Sequence, residues 1–404
     1  MTNILFLAHR IPYPPDKGDK IRSWHILAHL AKRHNIYLGC YVDDPEDRKH
    51  LSFLSDVCQE VKGIDLSPTY AKVRSLRALA AGRALSVDYY RDQVMADWIN
   101  SRLIDVRFDA TFVFSSPMAQ FVLGRSSLTG RVVMDFVDVD SDKWRQYAQS
   151  KRWPMSALYR RESERLLAFE QNVAQRTDAS LFVSPKEAEL FRRITPEAAD
   201  RIGHLNNGVD SDFFSPDHAL ENPYEDGEKA MVFTGAMDYW ANVDAVQWFA
   251  DRILPDIRRV HEDAVFYIVG GKPTAQVQAL AERPGIRVTG RVPDVRPYLK
   301  FSGVVVCPLR IARGVQNKVL EGMAMARPVV ATPEAFEGID ARPGEELLVA
   351  DGAADFAETV SGILAGSGNS SMPAQARKRV VENYSWERNL GLLDDLLLGT
   401  RAHA

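Results

Sequence analysis

The chain repeats one rhythm twice. Short apolar runs, NILFLA, NIYLGCYV, EVKGIDL, ATFVFS, RVVMDF and ASLFVS, are each followed by a helix-compatible stretch across the first half. The second half starts again with AMVFTG, AVFYIVGG, IRVTG, GVVVCPL, RPVVAT and ELLVA. Runs that are apolar at nearly every position, and not at every second one, belong to parallel strands covered on both faces by helices. Two such series predict an α/β chain of two doubly wound, Rossmann-like domains. The 404 residues are too many for one ordinary core and suit two.

Between the series lies HLNNGVDSDFFSPD, His204 to Asp217, where Asn, Gly, Asp, Ser and Pro cluster. Domains are therefore expected at 1–207 and 208–380. Residues 381–404 carry Trp386, Leu390, Leu393 and Leu397 at helical spacing, and are expected to form a helix packing back toward the first domain.

Composition narrows the function. A net charge of -4 lacks the electrostatic footprint of a nucleic-acid binder. Cys40, Cys58 and Cys307 are far apart and without CxxC spacing, so neither a disulfide framework nor structural zinc is expected, and a reducing cytoplasm fits best. The opening MTNILFLAHR reads as a buried strand and not as a signal peptide. No run approaches the ~18 apolar residues of a membrane span.

The stretch RIARGVQNKVLEGMAMARPVVA, Arg310 to Ala331, holds the most informative chemistry. A strand ends near Leu309, a loop with Gly314 follows, and a helix is predicted from about Gln316 to Ala326. Positive charge stands before and within its first turn, where the macrodipole favours negative charge. In open α/β sheets ligands lie beyond the carboxyl ends of the strands, and free N–H groups of helix starts bind phosphate. Lys318 and Arg313 beside such a terminus suit a diphosphate, and Glu321, one turn on from Lys318, suits a ribose diol. Spacing alone equally allows a surface ion pair between Lys318 and Glu321.

NKVLEGMAMARPVVAT resembles the donor-binding helix of glycosyltransferase family 4, a group of retaining nucleotide-sugar transferases with the GT-B fold. Further resemblances follow in the family's order: RIPYPPDKGDKIRSWHILAHLAKRH near the start, NNGVDSDFFSPD between domains, MVFTGAMDYWANVDAVQWFADRILPDIRR, FYIVGGKP, IRVTGRVPDVRPYL and a terminal YSW. GVQNKVLE looks most like transferases that build bacterial exopolysaccharides. The resemblance implies two Rossmann-like domains facing a central cleft, with Glu321 on the ribose and Lys318 on the diphosphate. It places Gly18 near the donor phosphates, Arg291 and Val292 at the base, and Gly314, Gln316 and Asn317 in the donor loop and helix start. Two departures stand out. Arg313 occupies the position of a frequent second glutamate, and GAMDYWANVD lacks the family's usual Arg and Lys, so phosphate neutralisation is expected from Lys318 with Arg313 or Arg310.

The first domain is expected to serve the acceptor through His9, Arg10, Ser115 and Asp138, with Ser116 as an alternative to Ser115. MDFVDVDSDKW places Asp135, Asp138, Asp140 and Asp142 at a strand end, and DxD there has the hard oxygen ligands of a magnesium or manganese site. A complete second nucleotide domain speaks against that use, Lys143 stands where a calcium loop needs Gly, and no metal is expected. These aspartates equally suit N-caps of the following helix. From Lys143 to Arg165, seven basic residues face Glu162 and Glu164, with Trp144, Tyr147, Trp153 and Tyr159 interleaved. The basic AKVRSLRALAAGRALSV precedes them. This pattern suits peripheral contact with an anionic bilayer at the inner face of the plasma membrane, or a solvated helix face whose aromatics lie in the core.

The expected activity is retaining transfer of a sugar from a UDP- or GDP-linked donor to a growing exopolysaccharide or a polyprenol-linked oligosaccharide, with no cofactor and no protein nucleophile. Alternatives are a GT-B nucleotide-sugar 2-epimerase, which would turn over donor without acceptor, and a non-catalytic glycan- or nucleotide-binding scaffold. An NAD-dependent oxidoreductase is disfavoured because no strand is followed by GxGxxG.

Overall fold

The computed structural model describes residues 1–125, 130–312, 314–367 and 369–399. They form two compact units, Met1–Asn206 with the chain from Asn389 onward, and Asn207–Arg388.

The first unit is built on seven parallel strands: β1 (Asn3–Ala8), β2 (Asn35–Val42), β3 (Glu60–Asp65), β4 (Ala110–Phe114), β5 (Arg131–Val137), β6 (Ala179–Phe182) and β7 (Ile202–His204). Their order is β3-β2-β1-β4-β5-β6-β7. Strand order reverses between β1 and β4, so the loops leaving these two strands turn apart and open a crevice at their carboxyl ends. Register pairs Ala8 with Phe114, which sets the following residues, His9 and Ser115, side by side at that crevice.

The second unit repeats the plan with β8 (Lys229–Thr234), β9 (Ala264–Val269), β10 (Ile286–Gly290), β11 (Val304–Cys307), β12 (Val329–Ala331) and β13 (Leu348–Val349). These run β10-β9-β8-β11-β12-β13, all parallel, with the reversal between β8 and β11. Every residue of β9 and β11 is buried, as strands covered by helices on both faces must be. The doubly wound expectation holds in both halves.

The terminal segment differs from its expected single helix. Trp386–Leu390 and Leu393–Leu398 are separate short helices with a turn at Gly391 and Leu392. Glycine in a helix interior costs about 1 kcal/mol, and the break falls there. Trp386 packs in the second unit, where a Cβ on Gly208 would come 2.6 Å from its ring. Leu393 and Leu397 are fully buried in the first unit, where Arg131 Nε donates to Leu396 O at 2.8 Å. The apolar spacing is real, but it serves two bodies. Among the described residues no helix is long and apolar enough to cross a membrane.

Candidate active site

In the second unit the crevice between β8 and β11 is closed from one side by the helix Asn317–Ala324. Its N-cap, Gln316, offers no side-chain cap; the Gln316 amide instead donates to Gly314 O at 3.1 Å, across a turn in which Gly314 has φ +64°. The first turn carries no acidic residue, so its amides remain suited to an anion. Asn317, at the helix start, has a buried Oδ1 with no hydrogen-bond partner among the described residues.

Lys318 makes no surface pair with Glu321. Its Nζ donates to Asn242 Oδ1 at 2.7 Å and lies 4.7 Å from the centre of the Phe233 ring. Asn242 Nδ2 in turn donates to Ala236 O at 2.9 Å, so one amide ties the helix Trp240–Trp248 to the loop after β8 and to the lysine. Burial lowers the Lys318 pKa, against the opposing influence of Cys307 and Glu321. Burial likewise pushes Glu321 up to about 7, partly offset by Lys318. A diphosphate beside Lys318 would restore the stability of its charged form.

The floor of this crevice is backbone. A Cβ on Gly270 would stand 1.7 Å from Gly235 O, and one on Gly235 would stand 2.7 Å from Asn242 Nδ2, so only glycine fits at either strand end. Met237 N donates to Gly271 O at 2.9 Å and Gly270 N to Gly290 O at 3.1 Å, which joins the exits of β8, β9 and β10. Arg291 leaves β10 exposed beside Gly271, and Val292 packs half-buried on the core. Arg310 is engaged by Asp244, with Nε at 3.0 Å. Arg313 lies outside the described residues.

In the first unit the structure sorts the charged motif after β1. Arg10 is committed to Asp19 at 2.5 Å and Asp43 at 2.8 Å, and His9 Nε2 stands 3.4 Å from the same Asp19. Burial would raise the Asp19 pKa, but the His9 hydrogen bond and the Arg10 charge outweigh it and hold the carboxyl well below the usual range. Gly18 begins the helix Gly18–Ala31, and a Cβ there would meet nothing within 4 Å, so that space is free for an incoming group. Lys20 is buried between Asp16 at 3.1 Å and Asp47 at 2.9 Å.

The four aspartates diverge. Asp135 is fully buried with Arg22, whose Nε donates to it at 2.8 Å and whose Nη2 donates at 3.1 Å. Asp138 and Asp140 both accept from Lys143, at 2.7 and 3.0 Å, and Asp142 accepts from Arg145 at 2.7 Å. None caps the helix Asp140–Ser150: its N-cap is Val139, and carboxylates of later helices approach the adjoining amides, Glu187 at Val139 N (2.8 Å) and Glu170 at Ser141 N (3.4 Å). The lysine ammonium bridges the DxD pair. Among the described residues no group of three His, Cys, Asp or Glu side chains is placed to hold a metal ion.

These elements line an open pocket of about 280 Å³ formed by His9, Tyr90, Ser115, Asp140, Lys143 and Trp144, with Tyr147 beside them. Two strand ends near it are strained: Ser115 has φ +76° and Val137 φ +69°, conformations that cost non-glycine residues energy and recur at binding sites. Ser116 Oγ is buried without a hydrogen-bond partner among the described residues. The structure thus brings His9 and Ser115 together, leaves Arg10 engaged in ion pairs, and sets Asp138 just outside, on Lys143. Sequence reasoning missed Tyr90 and Asn242 and did not assign Lys143 or Trp144 to a binding site. The signal for Asn242 was an amide amid the buried Ala241, Val243, Ala245 and Val246.

Residues 228–366 match the family described as Glycosyl transferases group 1. A search of curated proteins returned no match. Among solved structures, HepE of Anabaena in complex with UDP-glucose superposes with a TM-score of 0.69 at 13% identity, covering 99% of this chain and 100% of that one. Sucrose-phosphate synthase of Thermosynechococcus elongatus gives 0.69 at 15% identity, covering 98% of each chain. A glycosyltransferase of Rickettsia africae gives 0.66 at 14% identity, covering 98% of each chain. The glycine-floored crevice and the Lys318 helix fall inside the residues that match group 1 glycosyl transferases, and the chain as a whole has the GT-B fold of two Rossmann-like units.

Proposed function

We propose that the protein transfers a sugar from a nucleotide-sugar donor to a growing exopolysaccharide or lipid-linked oligosaccharide, with retention at the anomeric carbon, at the cytoplasmic face of a membrane. The observation that carries the donor side is the uncapped start of the helix Asn317–Ala324, with Lys318 held by Asn242 and Glu321 one turn on. Glu321 accepts from the ribose hydroxyls, and Lys318 with the free helix amides meets the diphosphate. HepE binds UDP and UDP-glucose, which favours UDP over GDP as the carrier.

In the reaction the bond from the anomeric carbon to the diphosphate oxygen breaks and an acceptor hydroxyl bonds to the same face of the ring. The acceptor proton leaves with the departing phosphate. Negative charge grows on that phosphate, so a fixed ammonium and oriented amides stabilise the transition state more than the ground state. The pocket of His9, Ser115 and Trp144 holds the acceptor: an aromatic wall suits the apolar face of a sugar ring, and its ammonium is already neutralised by Asp138 and Asp140, which suits an uncharged acceptor sugar.

The test is single-turnover transfer with a panel of nucleotide sugars, comparing wild type with Lys318→Ala and Glu321→Ala. Loss of donor affinity and rate in both variants is expected. Wild-type behaviour in both would displace the donor site. Donor consumption in the absence of acceptor, giving an epimer, would replace transfer with epimerisation.

A further inference from the structure

The first unit carries a face that neither pocket uses. The helices Pro68–Ser75 and Arg77–Ala80 expose Tyr70, Val73 and Leu79, and Leu76 between them is 57% exposed. The turn between the helices Asp140–Ser150 and Met155–Arg176 exposes Trp153, at 81%, and the second helix starts with the exposed Met155. The two segments are joined. Arg161 Nη2 donates to Ala78 O at 3.1 Å, and Glu162 accepts from Leu85 N at 2.7 Å and Ser86 N at 2.8 Å, welding the earlier segment onto the long helix. Met155 precedes Arg161 by six residues, about 9 Å of helix.

Singly exposed apolar side chains are ordinary, but six large ones on two joined segments are not. The charge around them is one-sided. In the same segments Lys72, Arg77, Lys151, Arg152, Arg160 and Arg165 are exposed, and Glu164 is the exposed acidic residue among those described. In a chain of net charge -4 that is segregation of charge.

We propose that this face docks on an anionic lipid bilayer, with Trp153, Leu76 and Leu79 entering the headgroup region and the bases meeting lipid phosphates. It specifies the membrane placement proposed above and does not depend on the transfer chemistry. Exposed Leu and Val distinguish it from a nucleic-acid surface, which uses stacking aromatics along a basic groove. Docking also places the acceptor pocket near the lipid: Tyr147 of its lining precedes Lys151 of the face by four residues, about 6 Å of helix. An acceptor anchored in the bilayer then reaches the pocket without leaving its membrane.

The test is co-sedimentation of the full chain with phosphatidylcholine vesicles, with and without about one third phosphatidylglycerol, at low and high salt. Binding to the anionic vesicles alone, weakened by salt, is expected. Lys151→Glu with Arg152→Glu should lower that binding roughly tenfold or more, and Trp153→Ser with Leu76→Ser should lower it with little change in salt dependence. UDP-induced thermal stabilisation, measured on the same proteins, should be unchanged in all variants. No binding to anionic vesicles, equal binding to neutral ones, variants that bind like wild type, or preferential capture by an oligonucleotide competitor would each overturn the proposal. If UDP stabilisation is absent while vesicle binding persists, the donor site fails and this face stands.

Discussion

Lys318 Nζ and Asn242 Oδ1 are joined by a 2.7 Å hydrogen bond that reaches from the first turn of one helix to the first turn of another. The bond fixes an ammonium over the Phe233 ring, facing the crevice where a diphosphate is proposed to sit. Asn242→Ala should leave that ammonium without its anchor, lowering kcat/KM for donor about 10- to 100-fold and stability by about 1–2 kcal/mol. Asn242→Asp should keep the fold but compete with phosphate, raising donor KM more than it lowers kcat. Equal stability losses with unchanged donor KM in both variants would make Asn242 structural only.

Glu321 titrates near neutrality because burial pushes it up to about 7. Protonation removes its capacity to accept two ribose hydroxyls, so UDP affinity should fall as pH drops through about 7, with that limb absent in Glu321→Gln. The raised pKa also means that the folded state holds a proton the unfolded state releases, and stability declines as pH rises through the same range. Glu321→Gln should therefore melt higher than wild type at pH about 8, by on the order of 1–2 kcal/mol after discounting for partial exposure, while binding UDP poorly. Calorimetry and titration on the same samples check both halves.

Arg22 and Asp135 form a fully buried pair, with Arg22 Nη1 also donating to Leu205 O at 2.5 Å. Arg22→Ala leaves a buried carboxylate uncompensated and should cost about 3–5 kcal/mol in urea unfolding. Arg22→Met with Asp135→Leu should recover much of that loss, because the desolvation of both charges is removed together.

Trp144 and His9 are predicted to act on the acceptor alone. Trp144→Ala should raise acceptor KM about tenfold or more while donor KM stays within about twofold, since the residues proposed to hold the donor, Lys318 and Glu321, lie in the other unit. A parallel rise in both constants would show that the cavity of the first unit is not a separate acceptor pocket.

Glu170 is wholly buried, and its pKa is pushed up to about 8 by burial and by Asp140, against the amide of Ser141 and Lys143. It is protonated in the folded protein near neutral pH. Wild-type melting temperature should fall as pH rises through about 8, and Glu170→Gln should flatten that slope.

The sheets and the Lys318 helix were legible because they are written locally, in continuous apolar runs and in a basic helix start. What escaped was long-range pairing. Arg22 and Asp135 stand 113 residues apart, Lys318 and Asn242 76 apart, and nothing in either neighbourhood marks the partner. The aspartates after β5 looked alike in sequence because they share a strand end. Their roles separate only once Arg22, Lys143 and Arg145 claim them individually. Trp386 to Leu397 kept a helical spacing across a break, since burial in two different bodies imposes the same apolar period.

The return of the chain at Asn389 has a consequence for biosynthesis. Leu393 and Leu397 complete the apolar interior of a unit whose strands all emerge from the ribosome before any of Asn207–Arg388. The N-terminal body must therefore wait, with a hydrophobic patch near Arg131 uncovered, until the whole second unit has been translated. A chaperone that shields that patch during translation would have a defined interval of work, ending when the tail arrives.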